Sequence, residues 1–141
     1  MILSPEKHVF QRLVTTPEVA TLIGFQVYPI AVPKNAVLPF CVYKRNNIAR
    51  EPTMAGPLYV PVVHLQIASW ALYYDAAREL ADAVRLALDG RTGTLAGVTI
   101  SDMRLVSETD DYLDPAAVGA QLPPAYEVRQ LFQIRWSEAT E

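Results

Sequence analysis

The sequence is short of cysteine, histidine and long apolar runs. Its single cysteine, Cys41, cannot close an internal disulfide, so packing alone must hold the fold. No apolar run approaches the ~20 residues needed to span a bilayer. The first stretch, MILSPEKHVF, also lacks the apolar central region of a secretory signal. A soluble protein made in the cytoplasm is expected. Positive charge is scarce as well: 12 Lys and Arg against 15 Asp and Glu give a formal charge of −3. A dedicated nucleic-acid binder would carry a basic face, so that class is disfavoured, although a surface that DNA merely passes is not. Low-complexity segments and internal repeats are missing too, and with 51% apolar and 19% charged residues the chain is not disordered.

At 141 residues the chain suits one domain, 1–141, with a single core. The most strongly patterned stretch is Val62 to Gly90. Val63, Leu65 and Ile67 alternate with His64, Gln66 and Ala68, the period of a strand with one covered face. After Trp70 the period changes, and Ala77, Leu80, Ala81, Val84, Ala87 and Leu88 recur at helical steps. A helix of roughly four turns is expected from about Asp75, with Asp75 as N-cap and Gly90 supplying the left-handed residue past its end. Burial of Leu80, Val84 and Leu88 contributes about 5 to 8 kcal/mol gross, against a few tenths for a surface pair such as Arg78 with Asp82. Packing on a sheet should therefore hold this helix.

Before this stretch, Ser4, Pro5 and Glu6 signal a helix to Val14, and Thr16, Pro17 and Glu18 a second that stops at Gly24. Gln26 to Pro29 reads as a short edge or loop, because Pro29 and Pro33 do not suit a central strand. Leu38 to Arg50 begins as a strand, with Phe40 and Val42 on one face and Cys41 and Tyr43 on the other, and leaves the core after Tyr43. The proline-rich segment Glu51 to Pro61 connects it to the strand at Val62, giving a long hairpin whose tip projects from the body. Beyond the helix, Val98 to Ser107 is a strand whose apolar phase slips between Ile100 and Met103, as a bulge would cause. The last strand, Val128 to Trp136, aligns Val128, Phe132, Ile134 and Trp136, with Gln130 as the exception. Between these two strands, Thr109 to Ala125 reads as a long, apolar, aperiodic loop. Loops of that length are usually functional or disordered, and Leu113, Val118 and Leu122 suit a partner surface better than disorder.

Chemistry is poorly advertised. His8 and His64 have no ligand spacing around them and read as surface or half-buried side chains, and Cys41 reads as a small hydrophobe. Asp110, Asp111 and Asp114 fit no calcium loop and read as solvated or capping residues. The run Asp89 to Gly93, DGRTG, follows a helix instead of preceding one, so it reads as a cap and turn and not as a phosphate loop. No cofactor, metal or catalytic set is expected. Lys44, Arg45 and Arg50 form a small basic group on the first hairpin. They join Leu113, Val118 and Leu122 as candidate residues for a subunit or partner interface.

The runs LPFCVY (Leu38 to Tyr43), LQIASWA (Leu65 to Ala71), YYDAARELADAVRLALDG (Tyr73 to Gly90), GTLAGV (Gly93 to Val98) and FQIRW (Phe132 to Trp136), in this order and spacing, resemble the phage tail completion proteins. These are relatives of the tail terminators of long-tailed phages. The resemblance covers most of the chain and implies a structural, non-enzymatic virion protein of the tail or neck. It implies a ring, commonly a homohexamer, that stops polymerisation of the tail tube and joins it to the head connector, with DNA passing through the lumen unread. The partners implied are further copies of the chain, the tail tube protein and a head completion or connector protein, and no membrane. A head completion ring, and a small ligand-binding domain or enzyme, stand as the alternatives. The expected fold is α+β: one antiparallel or mixed sheet of four to five strands, helices packed on one face, and a projecting β-hairpin.

Overall fold

The computed structural model describes residues 5–31, 33, 36–49, 52–53, 56–59, 62–95, 97–113 and 125–136. The elements follow in the order α1 (Pro5–Thr15), α2 (Pro17–Ile23), β1 (Val27–Pro29), β2 (Phe40–Ala49), β3 (Pro52–Thr53), β4 (Gly56–Tyr59), β5 (Val62–Ala71), α3 (Tyr74–Leu88), β6 (Gly93–Leu95), β7 (Val98–Leu113) and β8 (Ala125–Trp136). The main sheet is mixed and six-stranded, ordered β1-β2-β5-β8-β7-β6, with β1 parallel to β2 and all other pairs antiparallel. Four to five strands were expected. The difference lies in β1 and β6, short edges of three residues each, too brief to show a period of two.

Proline and acid at the helix starts behave as the sequence suggests. Pro5 and Glu6 open α1, Pro17 and Glu18 open α2, and Thr16 joins them by bonding its hydroxyl to Arg12 O at 2.6 Å. Gly24 ends α2 at φ 62°, its N–H bonded to Ala20 O at 2.8 Å. Helix α3 starts one residue earlier than expected. Tyr73 occupies the cap without a side-chain bond, so Asp75 is not the N-cap but a first-turn acid beside the positive end of the helix. Its six stripe residues, Ala77, Leu80, Ala81, Val84, Ala87 and Leu88, are all buried. At its far end Gly90, at φ 76°, sends its N–H to Met103 O at 2.7 Å, while Asp89 Oδ1 accepts from Leu105 N–H at 2.9 Å. The turn thereby ties α3 to the outer side of β7.

All three helices lie on one face of the sheet. Val9 and Leu13 of α1, Val19 and Ile23 of α2, and Leu80, Val84 and Leu88 of α3 pack with Leu65, Ile67, Met103, Phe132, Ile134 and Trp136. Cys41 and Tyr43 point to this helix face. Among the described residues the opposite, open face is covered only at one end, where Phe40, Ala68, Trp70 and Ala125 bury with Ala36, and Tyr28, Leu38 and Val42 pack around them. The Phe40 and Trp70 rings stack at 6.0 Å. The slip between Ile100 and Met103 is a real register shift, and a second falls between Leu105 and Ser107. The exception on β8 also has its explanation: Gln130 is fully buried and donates to Ala81 O at 2.9 Å and Glu108 Oε1 at 3.0 Å.

The first hairpin forms as expected, with β2 and β5 paired from Phe40↔Trp70 to Ala49↔Val62. Its far end pairs on itself as β3 and β4, in a separate sheet. The second hairpin is longer than expected. Strand β7 runs on to Leu113 and β8 begins at Ala125, so Thr109 to Leu113 is ladder and not loop.

Candidate assembly surfaces

Of the titratable side chains singled out in the sequence, His8 and Cys41 are buried. His8 is fully buried, not on the surface or half-buried. Its Nδ1–H donates to Val98 O at 2.9 Å, leaving Nε2 to accept from Arg12 Nε at 3.3 Å and Nη2 at 3.1 Å. Burial, together with the Arg12 charge, lowers its pKa against the opposing pull of the Val98 bond, so the ring is a neutral brace between α1 and β7. Cys41 is buried 3.6 Å from Ser69 Oγ, and desolvation pushes its thiol up to about 12. It is the small hydrophobe the sequence suggests. His64 is half-buried on β5. Among the described residues no three His, Cys, Asp or Glu side chains converge as metal ligands do. No helix among them is long and apolar enough to cross a membrane.

Asp110 and Asp111 are exposed, as solvated residues are, but each is also held by a cation. Placed in β7, Asp110 accepts from Tyr74 Oη at 2.6 Å and from Arg78 at 3.2 Å on the helix face, while Arg78 also meets Glu108 at 3.2 Å and Asp82 at 3.0 Å. On the open face Asp111 accepts from Arg129 Nη2 at 2.8 Å, and Arg129 Nε donates to Glu127 at 2.7 Å. Burial raises the Glu127 pKa, and the Arg129 bond partly opposes it. These pairs explain why an acidic run sits in a strand: its cations come from α3 and β8, distant in sequence. Asp114 lies outside the described residues.

The proposed interface residues are divided by the structure. Lys44 and Arg45 are exposed on β2, where Arg45 grips Glu6 of α1 with Nε at 2.7 Å and Nη2 at 2.9 Å. Such a bidentate pair fixes α1 to the sheet more than it advertises a free charge. Leu113 is the last residue of β7, its backbone opposite Ala125. Arg50, Val118 and Leu122 lie outside the described residues.

Two exposed apolar groups escaped the sequence reading, because helical and strand periodicity ranks residues by their place in the core. At the start of α3 are Leu72, Tyr73 and Tyr74, and Tyr112 stands near them. The Tyr126 ring bridges Tyr74 at 5.9 Å and Tyr112 at 5.1 Å. Beside β1 are Phe25, Ile30 and Val37, with Phe25 and Ile30 more than three-quarters exposed. Ile30 also adopts φ 63°, a conformation unfavourable for a β-branched residue, as its N–H reaches Tyr43 O at 2.8 Å. A groove between the helices is lined by Arg12, Thr16, Glu18, Leu86 and Arg91.

The sequence matches the family described as tail completion protein gp17 over residues 7–121. A comparison with curated proteins finds no match. Among solved structures, the fold is similar to that of a chain in the virion of a native gene transfer agent particle. The TM-score is 0.73 at 19% identity, over 92% of this chain and 91% of that one.

Proposed function

The chain belongs to the tail completion protein family, and on that premise we propose that it works as a ring at the head-proximal end of a tail tube. Membership makes it a structural virion protein of the tail and not an enzyme. The finer reading is that copies of the chain, acting as one domain each, close into a homohexameric ring. The ring ends tube polymerisation, meets the head connector on its other side, and lets DNA through its lumen without reading it. Lys44, Arg45, Arg50, Leu113, Val118 and Leu122 are proposed contact residues of that assembly.

The observation that carries this reading is the pair of separate apolar exposures, Leu72 to Tyr74 with Tyr112, and Phe25 with Ile30 and Val37. A closed ring of more than two copies needs a head-to-tail contact between two different patches, whereas a two-fold dimer needs one patch that fits itself. A net charge of −3 also suits a channel, since strong phosphate binding would slow the passage of DNA. Light scattering on the full chain, alone and with the tail tube protein of the same particle, is expected to give a closed oligomer seen as a ring by electron microscopy. A monomer under both conditions would overturn the reading.

A further inference from the structure

Among the described residues the lateral edges of the main sheet are each capped over part of their length and bare over the rest. In an antiparallel ladder, successive residues turn their N–H and C=O alternately to one neighbour and to the other. On β7, Met103 O and Leu105 N–H bond outward to the turn after α3, so these residues face away from β8. They stand opposite Ile134 and Phe132. After the register shift, Glu108, Asp110 and Tyr112 stand opposite Gln130, Val128 and Tyr126, which continue the same alternation on β8, so they too face outward. Edge strand β6 pairs only with Val98 to Ile100. From Val106 to Tyr112 every residue is exposed. Among the described residues the outward backbone groups of Glu108 and Asp110 have no partner, while Asp111 Oδ1 takes the Tyr112 N–H at 2.8 Å.

The other edge is arranged in the same way. Strand β1 covers β2 only from Cys41 to Tyr43, where Cys41 N–H bonds Gln26 O and Ile30 N–H bonds Tyr43 O. Strand β2 then continues to Ala49, and among the described residues nothing pairs with its outer side beyond Tyr43. A bare edge is a template for another strand. The two bare stretches carry opposite charge on matching faces. On the open face Lys44 corresponds to Asp111, and on the helix face Arg45 corresponds to Glu108 and Asp110. Among the described residues Lys44 makes no ion pair within 4 Å, its charge acting on Glu127 of the same face from further off.

We propose that the bare edge of β7 in one copy pairs with the bare edge of β2 in a second copy, so that the main sheet continues from subunit to subunit. This rests on the ring reading above and supplies its joint. The strand directions permit it: β2 and β8 run one way and β5 and β7 the other, so β7 meets the β2 of a like-oriented copy antiparallel. The charges select it. Two β7 edges pairing with each other would oppose Glu108, Asp110 and Asp111 with the same acids, an arrangement that like charges disfavour. The joint is also staggered. Asp110 lies in line with Val128, Ser69 and Cys41, whereas the bare part of β2 starts at Lys44. The turn after α3 and strand β1 act as stops on either side of it.

Charge reversal on the full chain tests this, read by native mass measurement and light scattering under the conditions in which the unaltered chain assembles. Lys44→Glu and Asp111→Lys are each expected to reduce the assembled fraction about tenfold, by placing like charges across the joint. The double variant Lys44→Glu with Asp111→Lys is expected to recover it. Lys44→Glu removes no ion pair within 4 Å among the described residues, Asp111→Lys removes the pair with Arg129, and the monomer unfolding temperature of each variant, compared with that of the unaltered chain, separates lost assembly from lost folding. Single reversals that assemble like the unaltered chain, or a double variant no better than the singles, would overturn the joint while leaving the ring intact. An unaltered chain that stays monomeric even with tube protein would overturn the ring reading itself, and the joint with it.

Discussion

Replacing Gln130 with Met separates the polar from the packing role of the one amide on the apolar side of β8. Its Nε2 makes two hydrogen bonds, to Ala81 O and Glu108 Oε1, while its buried Oε1 has no partner. Two net bonds contribute about 0.5 to 1.5 kcal/mol each, and a buried acceptor left without a donor costs about 1 to 3 kcal/mol. Removing the whole amide strands neither partner, because Ala81 is mid-helix, with an N–H four residues on to bond its carbonyl, and Glu108 keeps Arg78 at 3.2 Å. Gains and losses therefore nearly cancel, and Gln130→Met is expected to stay within about 1 kcal/mol of the unaltered chain. Gln130→Ala, which empties the same space, should lose roughly 2 to 4 kcal/mol. Urea unfolding at one fixed protein concentration measures both, since assembly would otherwise raise apparent stability. Equal, large losses for the two variants would refute the reasoning and make the amide bonds the main contribution.

Leu80→Ala, at a residue 1% exposed between α3 and the sheet, is expected to cost about 2 to 5 kcal/mol. Thermal unfolding should show it as a drop of roughly 4 to 20 °C, and a negligible loss would put the wrong face of α3 on the sheet. His8 gives stability a dependence on acid. Its folded pKa is lowered, so above about 6.5 both folded and unfolded rings are neutral and it contributes no slope. As pH falls below that value the unfolded chain takes up a proton that the folded chain refuses, and stability declines by up to about 1.4 kcal/mol per pH unit until the folded pKa is reached. Urea midpoints at pH 7.5 and 5.5 should therefore differ more for the unaltered chain than for His8→Gln, and equal differences would refute the buried neutral ring.

Much of the scaffold is legible in the sequence because it follows from periodicity. The six buried positions of α3, the left-handed Gly90 and the slip between Ile100 and Met103 all come from local pattern. What periodicity cannot show is a partner distant in sequence. Thr109 to Leu113 reads as loop because the segment to Ala125 shows no periodicity, and the partners of its acids, Arg78 and Arg129, come from other elements. His8 reads as a surface or half-buried residue because its acceptor, Val98 O, is a backbone atom 90 residues away. The short edges β1 and β6 owe their existence to the strands beside them. Of the residues proposed for assembly, the sequence places Lys44 and Arg45 on the first hairpin, whereas the acidic edge of β7 that the proposed joint sets against them carries no local signal of pairing.

The burial of Cys41 has a practical consequence. Burial pushes its thiol up to about 12, so the thiolate is not formed at neutral pH, and the side chain does not reach solvent. The protein is thus silent to thiol-directed labels as it stands. A cysteine introduced at the surface would be the sole addressable sulfur, and a single spin or fluorescent probe at either end of the sheet would test, without background, whether another copy lies beside it.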